Sequence, residues 1–189
     1  NVVFGGRQLK SSTVRFEEGL TADLVSTAEL IETTTFKMTE GKDKATFNSG
    51  MIKKSTIEAG GGKDDILIGE DATLTNKTMV DLGSGKDKLT IEGEVKKAKI
   101  DLGDDSKRDK VFIDSLDLIT KRLVIKSFGR KDKLVIDGET YSKSAIEDED
   151  KRIGKIRIKF LDTTTSESSN NNDSSDLASV IASNGFDFL

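Results

Sequence analysis

Five times along the chain a basic residue stands directly before an aspartate: Lys42-Asp43, Lys63-Asp64, Lys86-Asp87, Arg108-Asp109 and Lys131-Asp132. From aspartate to aspartate the steps are 21, 23, 22 and 23 residues. A repeat of this length is one supersecondary unit that cannot bury its apolar side alone, so the units must stack.

Each pair is followed by the same short alternation: Ala45 and Phe47, Ile66 and Ile68, Leu89 and Ile91, Val111 and Ile113, Leu134 and Ile136. Period-two apolar runs this short are strands with one buried face. A second strand and a glycine precede each pair, as in Ile57-x-Ala59-Gly60, Val80-x-Leu82-Gly83 and Ile100-x-Leu102-Gly103. Phe36-x-Met38-x-x-Gly41 and Val124-x-x-x-Phe128-Gly129 are looser copies, and Val14-x-Phe16-x-x-Gly19 reads as an earlier one. Ala72-Thr73-Leu74, Glu94-Val95-Lys96 and Leu116-Asp117-Leu118 sit at equivalent places in the return segments and predict a third face.

A period near 22 is too long for a tight hairpin meander and too short for a strand-helix-strand unit. The fold expected is all-β: a right-handed parallel β-solenoid of the β-roll or β-helix type, with coils of about 22 residues. It should occupy residues 1–161, closed by Ile153–Leu161 as a last strand with Ile156, Ile158 and Phe160 inward. The opening Asn1–Gly6 reads as a strand entering a turn, which predicts continuation from a longer polypeptide. Residues 162–175, nearly all Thr, Ser, Asn, Asp and Glu, predict a flexible linker. Residues 176–189 predict a tail with a short amphipathic helix, Ser175 as its N-cap and Gly185 as its stop.

What the chain lacks narrows its chemistry. It has no Cys and no His, so thiolate chemistry, His-based zinc sites and the Ser-His-Asp arrangement are excluded. With 30 Lys and Arg against 34 Asp and Glu, the net charge is −4 and the signs are mixed, which disfavours nucleic acid as a partner. No apolar run approaches the ~20 residues of a membrane span, so membrane insertion is not expected. The run Glu147–Asp150 reads as a solvated turn.

In Gly60-Gly61-Gly62-Lys63-Asp64-Asp65-Ile66 and Gly83-Ser84-Gly85-Lys86-Asp87-Lys88-Leu89 the spacing is G-x-G-x-D-x-apolar. It resembles the nonapeptide of the RTX (repeats-in-toxin) family, and Leu123–Gly138 resembles the segment that closes RTX rolls. The resemblance covers roughly residues 60–138. It implies calcium bound between stacked turns, with Gly60, Gly62 and Asp64 on one coil and Gly83, Gly85 and Asp87 on the next as the metal site. The turns at Gly41, Gly103 and Gly129 depart from the pattern. Against the metal stands a metal-free reading, in which stacking sets a column of five cations beside a column of five anions that neutralise each other.

The ending Gly185-Phe186-Asp187-Phe188-Leu189 looks like the uncleaved signal of type I secretion substrates, with Asp187, Phe188 and Leu189 as its acidic-hydrophobic terminus. If the resemblance holds, the chain leaves the cell unfolded through the type I secretion machinery and folds outside on meeting calcium. The function expected is a non-catalytic structural domain of a secreted bacterial cell-surface protein, a surface layer or adhesin, self-associating or binding surface polysaccharide. Two alternatives stand beside it: a module of a secreted polysaccharide-modifying enzyme or toxin, and a solenoid lyase using Asp, Lys and Arg.

Overall fold

The computed structural model describes residues 2–19, 21–147 and 151–161. They form a parallel β-solenoid of about six turns, with about 22 residues per coil. Each coil has three faces. The first is built from Val2–Phe4, Asp23–Ser26, the starts of Lys44–Lys53 and Asp65–Thr75, then Lys88–Ile91, Lys110–Ile113 and Lys133–Ile136. The second runs through Gln8–Lys10, Leu30–Glu32, the later parts of Lys44–Lys53 and Asp65–Thr75, and the start of Glu94–Asp101. The third stacks Thr13–Arg15, Thr35–Lys37, Thr56–Glu58, Thr78–Asp81, the end of Glu94–Asp101, Ile119–Phe128 and Ile156–Phe160.

Because every stacked pair on these faces is parallel, with register shifts only after Ile68, Val95 and Ile125, equal repeat positions form ladders. On the first face Leu24, Ala45, Ile66, Leu89, Val111 and Leu134 follow one another. On the third, Val14, Phe36, Ile57, Val80, Ile100, Ile125 and Ile158 do the same. From Leu24 and Phe36 upward these side chains are buried in one continuous core. Each fully buried Leu, Ile or Val contributes roughly 1.5–3 kcal/mol by leaving water, which only the stack permits. Phe36 and Phe47 meet edge to face, with ring centroids 5.3 Å apart.

The additional face expected from the return segments is the second face, and it differs from expectation in one coil. Ala72-Thr73-Leu74 and Glu94-Val95 are strand, whereas Leu116–Leu118 is a 3-10 turn capped by the Ser115 hydroxyl, which accepts from the Asp117 N–H. Ile119 takes the ladder place instead, above Val95. At the far end the stack stops being parallel. Glu139–Tyr141 pairs antiparallel with Lys133–Ile136, Arg152–Ile153 pairs antiparallel with Ile156–Phe160, and Ile146 of the short helix Lys143–Glu147 is fully buried. The expected last strand is present over Ile156–Phe160 but not from Ile153, because Gly154 and Lys155 turn the chain and Ile153 lies in the antiparallel partner strand. Ile156 and Ile158 are inward and Phe160 is half-buried against Phe128.

Candidate functional site: the buried aspartate column

The repeat aspartates lie inside the solenoid. Asp43, Asp64, Asp87, Asp109 and Asp132 are 2, 2, 2, 3 and 4% exposed. Strand alternation puts them there: each stands two residues before the first inward apolar side chain, so it points the same way. In each case Oδ1 accepts a backbone N–H from the coil before. The donors are Ala22 to Asp43 (2.6 Å), Asp43 to Asp64 (2.8 Å), Asp64 to Asp87 (2.8 Å), Asp87 to Asp109 (2.8 Å) and Asp109 to Asp132 (3.0 Å). Each aspartate thus satisfies a buried donor that would otherwise be orphaned in the turn between faces, and the column staples all consecutive coils from Ala22 to Asp132.

The second oxygen distinguishes the members. Asp43 Oδ2 accepts from the Thr39 N–H at 2.7 Å and the Thr39 hydroxyl at 2.8 Å, and Asp132 Oδ2 accepts from the Gly129 N–H at 2.7 Å. Asp64 Oδ2 and Asp87 Oδ2 are buried and have no hydrogen-bond partner. Burial drives the Asp64 carboxyl up to about 7, against the Asp43 N–H that favours the charged form and with help from the charges of Asp87, Asp43 and Glu40. Burial likewise lifts Asp87 to about 6 and Asp109 to about 7, each opposed by the one N–H from the coil before. Asp132 is also raised by burial, opposed by the N–H groups of both Asp109 and Gly129.

The glycines of the two matching turns pack backbone on backbone. Gly61–Gly62 pairs in parallel with Ser84–Gly85. The Gly60 carbonyl accepts from Ser84 N–H at 2.9 Å and the Gly62 carbonyl from Lys86 N–H at 3.1 Å. Gly83 has φ +73°, and a Cβ there would stand 1.8 Å from the Gly60 oxygen, so no other residue fits. The wider turn after Gly103 has its own use, which its extra residues allow: Asp105 Oδ2 reaches back to the Gly85 N–H at 2.6 Å.

Calcium takes six to eight oxygens. Here the Gly60 and Gly62 carbonyls already accept from the next coil, and Asp64 and Asp87 each have one oxygen committed to a backbone N–H. Among the described residues no three carboxylates gather where they could hold a metal. Of the carboxylate oxygens in this turn pair, Asp64 Oδ2 and Asp87 Oδ2 are left without a donor.

The column of cations differs from the metal-free expectation too. Lys42, Lys63, Lys86, Arg108 and Lys131 are exposed, and none makes an ion pair with the buried aspartates among the described residues. Asp187, Phe188 and Leu189, with the linker and tail, lie outside the described residues, as do three residues of the acidic run. No family model, curated protein or solved structure matches the chain.

Proposed function

We propose that this chain is a structural, non-catalytic part of a secreted bacterial surface protein, of surface-layer or adhesin type, exported through type I secretion by its C-terminal tail. One observation carries the structural reading: the residue that marks every repeat, and that offers the most chemistry, is used in every coil to close a buried backbone donor. An aspartate so placed holds coils together. The export reading is supported by the sequence of the tail, with its acidic residue before terminal hydrophobics.

In this reading the folded coils do not require calcium, because the aspartate column joins them through backbone N–H groups. Circular dichroism of the full chain in EDTA and in millimolar calcium tests it. The expected result is the same β signature and melting temperature in both. Disorder in EDTA that calcium reverses, and that Asp64→Ala and Asp87→Ala weaken, would replace it with a metal-gated fold. Export is tested separately: removing residues 176–189 should leave the protein inside a type I secreting host.

A further inference from the structure

The outward side of the first face repeats a pattern of its own in three successive coils: Lys88-Leu-Thr-Ile-Glu92, Lys110-Val-Phe-Ile-Asp114 and Lys133-Leu-Val-Ile-Asp137. The second and fourth residues are buried, and the first, third and fifth look outward. Register stacks them into three rows along the solenoid axis. Lys88, Lys110 and Lys133 form one edge, Thr90, Phe112 and Val135 the middle, and Glu92, Asp114 and Asp137 the other edge.

This arrangement is frustrated within one molecule. On a helix a lysine and an acid four apart would meet; on a strand they stand about 13 Å apart and cannot. Their nearest neighbours along the axis, about 4.8 Å away, carry the same charge. Lys88 finds partial relief, 3.6 Å from Asp65 and over the Phe112 ring. Among the described residues Lys110, Lys133, Glu92 and Asp114 have no ion-pair partner. Asp137 accepts only the Leu116 N–H.

We propose that this face binds a second copy of the same chain, face to face, about a two-fold axis parallel to the solenoid axis. That operation swaps left and right while keeping the coils level. Lys88, Lys110 and Lys133 of each copy then lie over the partner copy's acidic row, and the middle rows meet on the axis. A two-fold running along the strands would set lysines on lysines, so charge alone selects the pairing with parallel solenoid axes. The inference deepens the scaffold reading and rests on it, naming the partner of that scaffold. Three coils by five positions is roughly 14 by 17 Å, small for a specific interface, so association is weak and salt-sensitive.

Sedimentation velocity of the full chain up to about 1 mM tests this, a range suited to so small a face. A concentration-dependent dimer that weakens in high salt is expected. Lys110→Glu or Asp114→Lys alone should weaken it at least about tenfold, since each sets like charges opposite twice. Mixing the two single variants in equal amounts should restore a heterodimer, and the double variant should restore itself. A monomer at all concentrations, a dimer indifferent to the single swaps, or a mixture that fails to rescue would each overturn the proposal. These residues are exposed, so melting curves of the variants should match the parent. The structural reading fails instead on the folding measurements in EDTA.

Discussion

The middle and the ends of the aspartate column follow different rules. At Asp43 and Asp132 both carboxylate oxygens have backbone or hydroxyl donors, and the turns around them are poor in glycine. At Asp64 and Asp87 the turns are glycine-rich and one oxygen has no donor. The glycines explain the difference. They let the backbones of adjacent turns pair directly, Gly61–Gly62 on Ser84–Gly85, and the N–H groups go elsewhere: Gly61 to the Thr39 carbonyl, Ser84 to the Gly60 carbonyl, and Gly83 and Gly85 to the carboxylates of Asp81 and Asp105. A buried carboxylate with a bare oxygen is costly when charged, and a proton removes that cost. The end aspartates therefore have both oxygens engaged as acceptors, whereas the middle ones are proton holders.

The largest way to break the contrast is in the turns themselves. Gly83→Ala must move a backbone oxygen 1.8 Å from the new Cβ and hold Ala at φ +73°. A loss of roughly 2–4 kcal/mol is expected in urea melts. Gly129→Ala, at an end turn, meets only the Asp132 side chain at 3.3 Å and should cost far less. Equal losses would mean the two kinds of turn are packed alike. Next in size is Asp43→Asn. Whichever way the amide is turned, its NH₂ faces a buried N–H, that of Ala22 or of Thr39, so about 1–3 kcal/mol should be lost. Asp87→Asn can keep its oxygen on the Asp64 N–H and point its NH₂ where nothing donates. At pH 8 it should be neutral or stabilising, and a loss as large as that of Asp43→Asn would abolish the distinction.

The proton-holder assignment also fixes a pH dependence. Asp64, Asp87 and Asp109 titrate in the folded chain near 7, 6 and 7, above their usual 3.8. The folded state therefore binds more protons than the unfolded one, and stability falls as pH rises. Their stabilising contribution is complete below about pH 4 and is lost progressively as pH rises through about 6–7. The melting temperature should be higher at pH 5 than at pH 8, the reverse of ordinary acid denaturation. Replacing all three with Asn should flatten the curve. A melting temperature that climbs from pH 5 to pH 8 would show that these carboxylates stay ionised inside the fold.

Much of this was legible in the sequence, and what was not has physical reasons. The 22-residue period and the inward alternation specify the coil and its ladders, down to Val14 beneath Phe36. The direction of the aspartates was also written there, because Asp43 shares its parity with Ala45 and Phe47. An expectation built on turn chemistry overlooked it, since aspartate is rarely buried. Leu116-Asp117-Leu118 looked like strand because L-x-L fits both a strand and the outside of a 3-10 turn; Ser115 as a cap was the local signal for the turn. Which oxygen lacks a donor depends on how neighbouring coils stack, and no single repeat contains that information.

The smallest expected effect decides between the two metal-free ladders. Lys63 and Lys86 stand beside Asp64 and Asp87 in sequence, but alternation sends the lysines out and the aspartates in. If coils are joined by carboxylate and backbone N–H, removing these exposed cations takes away only a screened, long-range attraction. Lys63→Ala and Lys86→Ala should each change stability by less than about 0.5 kcal/mol, alone and combined, at pH 5 as at pH 8. At pH 5 the middle carboxyls are mostly protonated and have no charge to balance. At pH 8 they are mostly ionised, so this is where a cation column would reveal itself. A loss above 1 kcal/mol confined to the higher pH would show that the lysines neutralise the column across the strand, and the aspartates would then be paired anions and not hydrogen-bond staples.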